Sequence, residues 1–485
     1  MDSRNLTLLT DLYELTMMQG YFERQDNDMV VFDVFFRENP CSSGYSIAAG
    51  LEQVIDYIKK LHFTYEDVDY LRSLNMFSEK FLQYLSGYHF TGSIYAIPEG
   101  SVVFPKEPLI KVIAPIMEAQ LIETAILNIV NHQSLIATKT ARIVYAANGA
   151  GVMEFGARRA QGPDASIYGA RAAMIAGCVG TSNTLTGKMF DVPVMGTHAH
   201  SWIMSFPDEY TAFKTYAELY PEACTLLVDT YDTLKSGVPN AIRVFDELKA
   251  SGRSPLKLAI RLDSGDLAYL SKKARKMLDE AGHTDVGICA SNDLDEYLIH
   301  DLMVQGAAIS SWGVGTNLIT SKDCPSFGGV YKLAGIWNEE ANDFIPKIKL
   351  SENTTKITNP GNKTVYRIYE KETGKIKADM ICFANEKIDT QEDLLLFDPI
   401  ETWKKTKLKA GTFTVREMLV PVFINGECVY KSPSVTEIAA YCKSEKETLW
   451  EETQRLFYPH RVYVDLSQSL YDVKKALLEQ MNATE

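Results

Sequence analysis

The sequence predicts an α/β protein: an irregular, TIM-like parallel α/β barrel with an N-terminal α+β domain before it and a small C-terminal unit after it. Three observations carry that prediction. At 485 residues the chain exceeds what one ordinary hydrophobic core can organise, so two or three domains are expected. Between Gly151 and Ile336, short apolar strands alternate with helical patterns in seven or eight strand–helix units. Polar residues follow those strands at their C-terminal ends, where parallel barrels assemble their sites. The segments drawn from these patterns are 1–148, 149–337 and 338–485.

Taken in order, Leu9–Phe22 has the apolar spacing of a helix, with Thr10 and Asp11 as candidate caps. Val30–Phe36 (VVFDVFF) is a strong strand, and Leu51–Leu61 sets Leu51, Val54, Ile55, Ile58 and Leu61 on one helical face. Strands GSIYAI and PLIKVIA come next, then a long helical stretch from about Met117. In the middle segment the strands are GVMEF, VPVM, TLLVD, KLAIRLD, GICA, SSWGVG and YKLAGI, with a weaker one at GTSN. Helical patterns such as VPNAIRVFDELKA and DLAYLSKKARKMLDEAG separate most of them. From Trp337 the chain turns polar (NEEAND, SENTTKITNPGNKT), which reads as linker, and it closes on the amphipathic SQSLYDVKKALLEQM.

Composition narrows the function. A net charge of -14 argues against nucleic acid or an anionic membrane as partner, so any phosphate must be held by local groups. No apolar run reaches the length of a membrane span, and Asp2, Arg4, Asp11 and Glu14 stand where a signal peptide would be apolar. Eight scattered cysteines without a CxxC pair fit reduced thiols in the cytoplasm and disfavour zinc.

Chemistry concentrates in a few stretches. VPVMGTHAHSW, Val192–Trp202, reads as a short buried strand broken by Gly196, with Thr197, His198 and His200 directly after it. Imidazole suits proton movement or phosphoryl acceptance near neutral pH; the alternative is a pair of satisfied structural histidines. EFGARRAQGPD puts Arg158 and Arg159 after a strand, as forks for phosphate or carboxylate or as surface partners of Glu154 or Asp164. In RLDSGDL, Arg261 and Asp263 are two apart and share a strand face, while Asp266 reads as a helix cap. GVGT offers Gly313, Gly315 and Thr316 at a strand end, where backbone N–H groups approach an anion closely, and Lys332 follows soon after in GGVYKL. The P-loop and GxGxxG patterns are both absent. A phosphosugar aldolase would need a Schiff-base lysine at a strand end, and none is obvious.

Together, LLTDLYELTM, EFGARRAQGPD, VMGTHAHSW, LLVDTYDT, IRLDSGDL, GVGTNLIT with GGVYKL, and KLS followed by PGNKTVYR resemble the nicotinate phosphoribosyltransferase family, in its order, from Leu8 to Arg367. The resemblance implies a type II phosphoribosyltransferase working as a homodimer with sites near the subunit interface. It would join nicotinate to phosphoribosyl pyrophosphate, giving nicotinate mononucleotide and pyrophosphate, with ATP hydrolysis coupled through a phosphohistidine and Mg2+ accompanying the phosphates. His200 matches the phosphorylated histidine, and His198 occupies a variable position. Tyr13, Thr197 and Arg261 match residues that hold nicotinate; Thr316, with Arg158, Arg159, Gly313 and Gly315, is expected to hold the phosphoribosyl donor. Asp263 has two claims on it, the charge developing on the ribose and Mg2+. Tyr13, far from the barrel motifs in sequence, is expected across the domain junction or from the partner subunit.

Overall fold

The computed structural model describes residues 4–252, 257–351 and 356–482; part of the expected linker, 352–355, lies outside them. The chain forms two compact units, Met1–Leu135 together with Ser326–Glu485, and Ile136–Pro325. These boundaries differ from the segments 1–148, 149–337 and 338–485, and the reason lies in single strands.

In the first unit, Met29–Phe36 is the third strand of a seven-stranded sheet and is buried at seven of its eight positions. That explains its unbroken apolar run: a strand covered on both faces has no reason to alternate. Its one charge, Asp33, is neutralised by Lys363 at 2.7 Å. It pairs antiparallel with Ile110–Pro115 on one side and with Gly329–Asn338 on the other. The second partner contains YKLAGI, which was expected in the parallel series. A short apolar strand reads the same in either sheet; here Tyr331 decides, stacking on Phe32 at 4.6 Å and donating to the Ala119 carbonyl at 2.6 Å. The expected helices appear at Leu12–Arg24, Leu51–Lys60 and Glu123–Ala146, and the closing one at Gln468–Asn482.

A second, four-stranded sheet of this unit carries a buried charge cluster. Arg367 on Lys363–Glu370 meets Asp379 at 2.6 Å and Glu445 at 3.2 Å, and its guanidinium lies 5.2 Å from the Phe104 ring. Glu107, also buried, has its carboxyl pushed well up by burial and then by the charge of Asp379. The arginine offsets the remaining carboxylates. Arg367→Met should therefore cost about 3 to 5 kcal/mol, the scale of a buried charge left unpaired, read as a lowered midpoint in urea unfolding.

The second unit bears the expected α/β core as a curled half-barrel. Its six strands, all parallel, lie in the order Gly180–Thr181, Gly151–Glu154, Ser311–Val314, Gly287–Ser291, Lys257–Leu262, Ala223–Leu227. Helices Glu209–Leu219, Val238–Ala250, Leu267–Glu280 and Glu296–Val304 fall where the sequence places them. The VPVM stretch is not the buried strand expected. Only Val192 is buried, Val194 is half-exposed, and the pairing shrinks to one parallel bridge, Val194 with Thr181.

That bridge starts a closure. Met195 donates to the Thr181 carbonyl at 2.8 Å along one edge strand of the sheet. Three residues on, the Leu227 N–H on the opposite edge strand donates to His198 Nε2 at 3.3 Å. The stretch therefore spans the open side of the sheet and occupies both edges, which would otherwise expose unpaired backbone groups. Among the described residues no helix is long and apolar enough to cross a membrane. None of the eight cysteines is disulfide-bonded.

Candidate active site

Parallel strands in register bring their C-terminal ends to one rim. Arg261 pairs with Leu227 on one side and Cys289 on the other, so residues just beyond those positions converge. Arg261 is the hub. Its Nε donates to Ser291 Oγ, its Nη1 to Thr197 Oγ1 and its Nη2 to Asp263 Oδ1, each at 2.8 Å. Ser291 Oγ in turn donates to the same Asp263 oxygen. Thr197 has its hydroxyl hydrogen on the His198 carbonyl at 3.2 Å, so it serves Arg261 as acceptor. Three of five guanidinium N–H donors are thus engaged, and two remain, one on each terminal nitrogen. The guanidinium carbon sits 5.8 Å from the Phe155 ring centroid.

A second hub, Asp229, joins the histidine loop to this cluster. Its side chain is 2 % exposed. Oδ2 accepts the Asp263 N–H at 2.8 Å and the Ser264 hydroxyl at 2.7 Å, while Oδ1 faces His200 Nε2 at 3.3 Å. With Nε2 on a carboxylate, Nδ1 is the ring nitrogen left for chemistry. His200 opens the short helix His200–Met204, and its side chain is 40 % exposed, so a substrate can reach it.

The two histidines have different environments. His198 is buried, its ring 4.7 Å from Tyr216 and 6.1 Å from Phe213. Burial, more than the nearby charges of Arg261 and His200, pushes its pKa down to about 4. It is neutral, and because Nε2 accepts from Leu227 its proton rides on Nδ1.

The residues expected to hold the phosphoribosyl donor share another corner of the rim. Arg158 and Arg159 are exposed on the single turn Ala157–Arg159, which lies against Thr316–Ile319. Glu154 is no partner for them: it is buried, its carboxyl raised by burial, and it takes the Gly156 N–H and the Thr181 hydroxyl. Gly313 has a packing reason to be glycine, since a Cβ there would stand 2.6 Å from the Phe155 ring. Gly315 is similarly tight, its Cβ position lying 3.2 Å from the Phe155 carbonyl. Tyr13 belongs to the first unit, where it is 46 % exposed on the helix Leu12–Arg24. Its neighbours anchor that helix: Thr10 donates to the Leu121 carbonyl at 3.2 Å, Thr124 Oγ1 accepts the Asp11 N–H at 3.1 Å, and buried Glu14 takes Gln120 Nε2. Asp11 is thus the capping position but its carboxylate does not cap the helix.

Asp229 and Ser291 were visible in sequence only as members of a polar series at strand ends, whereas Asp263 stood out in RLDSGDL. Ser264 and Phe155 gave no signal. Among the described residues no three His, Cys, Asp or Glu side chains converge to hold a metal ion.

Sequence comparison completes the picture. Family models match in three pieces: the nicotinate phosphoribosyltransferase N-terminal domain over residues 8–131, the family proper over 150–341, and its C-terminal domain over 362–474. The nicotinate phosphoribosyltransferase of Bacillus subtilis (strain 168) is 45% identical over 480 residues, covering 99% of this chain and 96% of its own. The chain belongs to the nicotinate phosphoribosyltransferase family. Another family member, from Dictyostelium discoideum, is 36% identical, covering 96% of this chain and 87% of its own. The crystal structure of human nicotinic acid phosphoribosyltransferase superposes with a TM-score of 0.84 at 28% identity, covering 96% of this chain and 99% of that one.

The neutral His198 gives a signed pH dependence. An unfolded imidazole titrates near about 6.5, and the folded one at about 4. The folded form is the one that resists protonation, so its stability is whole above the unfolded value and falls as pH drops through the window toward about 4. The loss reaches roughly 3 kcal/mol. Thermal unfolding followed across that window should show wild type losing more stability than His198→Gln; parallel pH profiles would remove the assignment.

Proposed function

We propose that the chain is an ATP-dependent nicotinate phosphoribosyltransferase acting as a cytoplasmic homodimer. It takes nicotinate, phosphoribosyl pyrophosphate, ATP and water to nicotinate mononucleotide, pyrophosphate, ADP and phosphate, the first step of NAD biosynthesis from nicotinate. The observation that carries this reading is the linked pair of hubs, Arg261 holding Thr197, Ser291 and Asp263, and Asp229 holding Asp263 and His200.

Arg261 is already oriented, and its two remaining N–H groups suit a carboxylate. Nicotinate held there keeps its pyridine nitrogen for attack on the ribose, with Tyr13 from the partner subunit stacked on the ring. Departure of pyrophosphate builds positive charge on the sugar, so catalysis is positioning and electrostatics. Asp263 gives Oδ1 to Arg261 and Ser291, which leaves Oδ2 for the ribose charge or for Mg2+. Bound Mg2+ would neutralise the pyrophosphate as it leaves. Arg158, Arg159, Gly313, Gly315 and Thr316 cradle the donor's phosphates. His200 takes the γ-phosphoryl group of ATP on Nδ1, with Asp229 holding the ring and stabilising its charge. The added negative charge beside Arg261 tightens the loops around the donor. Scattered thiols without disulfides support the cytoplasmic assignment.

Product analysis with nicotinate, nicotinamide and quinolinate, each with and without ATP, tests the reaction directly; only nicotinate should give its mononucleotide efficiently, and ATP should raise that yield. Within it, Arg261→Ala should raise KM for nicotinate far more than KM for the phosphoribosyl donor, and equal effects would break the carboxylate assignment. His200→Asn should abolish nicotinate-dependent ATP hydrolysis and the acid-labile label from γ-labelled ATP while leaving slow, ATP-independent transfer. If the label survives there and vanishes in His198→Asn, the histidines exchange roles.

The shared site has its own measurement. Mixed dimers of Tyr13→Ala and His200→Ala protomers should regain part of the lost activity, since one site of the pair then receives both intact residues. No recovery in verified mixed dimers would mean that both residues serve one site from the same chain.

A further inference from the structure

A cavity of about 600 Å3 lies in the C-terminal part of the first unit, and none of its lining residues belongs to the Arg261 or Asp229 clusters. Its walls come from the strands Ile376–Phe383, Leu394–Phe397, Lys405–Leu408 and Tyr463–Leu466. That size falls within the range of small-molecule sites.

Three kinds of side chain face it. Trp450 and Tyr463 give aromatic surface, and the Trp450 indole is fixed by its N–H on the Ile376 carbonyl at 2.8 Å. Lys405 and Arg461 bring cations that make no ion pair among the described residues. Asp465 brings a carboxyl that is 3 % exposed and has no cation partner among the described residues. Asp398 lines the same cavity but spends Oδ1 on the Ile400 and Glu401 N–H groups at 2.7 and 2.9 Å. Asp465 is the informative member: it accepts the Phe397 backbone N–H, and one such bond leaves most of a buried carboxyl's acceptor capacity open to a further donor. Burial, then the charge of Asp398, raises it to about 7, against the lowering effect of the Phe397 N–H.

We propose that this cavity is a nucleotide site distinct from the Arg261 cluster, with the phosphate on Lys405 and Arg461, the base against Trp450 and Tyr463, and ribose hydroxyls on Asp465. A free phosphate satisfies the cations but offers neither the ring for the aromatic walls nor the hydroxyl donors for the carboxyl. The site serves binding, and turnover at the Arg261 cluster does not require it.

Photolabelling of the full-length protein with 8-azidoadenosine monophosphate, followed by peptide mapping, tests it. Label should fall on peptides spanning Trp450–Tyr463 and be displaced by adenosine monophosphate. The double variant Lys405→Glu, Arg461→Glu changes exposed side chains only, so folding is safe; it should weaken that labelling at least about tenfold while kcat with saturating substrates holds. Label confined to peptides of residues 136–325, or C-terminal label that the double variant leaves intact, overturns the proposal. Displacement by pyrophosphate as effective as by adenosine monophosphate overturns the nucleotide assignment in favour of a bare phosphate site.

Discussion

A parallel sheet that stops at six strands has two edges, each with a row of backbone groups in need of partners. In this fold one stretch answers both. Val194 bridges Thr181 at one edge, and His198 accepts the Leu227 N–H at the other. The bond from Leu227 is the one that fixes everything downstream. It holds the loop across the mouth of the half-barrel, sets Thr197 within reach of Arg261, and places His200 opposite Asp229. The histidine proposed to carry phosphate is therefore held in place by a different histidine two residues earlier. Of the pair, His198 serves closure, and His200 is the one proposed for chemistry.

The rim that results is built from charges that orient one another. Asp263 is shared by Arg261 and Ser291 through one oxygen and is linked to Asp229 through its backbone N–H. Such preorganisation matters more for phosphoribosyl transfer than for chemistry with a strong nucleophile, because a loose, charge-separated transition state offers little else to stabilise. The arginine is bracketed by hydrogen bonds before any substrate arrives, so little rotamer freedom is left to lose on binding.

Much of this was legible in the chain. The strand–helix alternation located five of the six parallel strands firmly and the sixth, at GTSN, weakly, and the polar residues at their ends marked the rim. Arg261, Thr197, Asp263 and His200 could be named because they fall in short motifs. YKLAGI could not be placed, since its apolar pattern fits either sheet and only the long-range contact of Tyr331 with Phe32 separates them. VPVM read as a strand because its composition is that of one, yet Pro193 and the lack of a second neighbour reduce it to a bridge. Asp229 passed as one polar strand end among several. Its importance comes from bonds to residues 29 and 34 positions away, and no local pattern records that.

The division of the chain also bears on its synthesis. The half-barrel, Ile136–Pro325, is one continuous segment, whereas the other unit needs Met1–Leu135 and Ser326–Glu485 together. On the ribosome the half-barrel can gather all its strands before the first sheet can complete its own. Until residues beyond Ser326 emerge, Met29–Phe36 waits with one edge open, apolar along nearly its whole length, for the partner Gly329–Asn338. A nascent chain with such an edge is a natural client for chaperones and a natural seed for aggregation if elongation stalls.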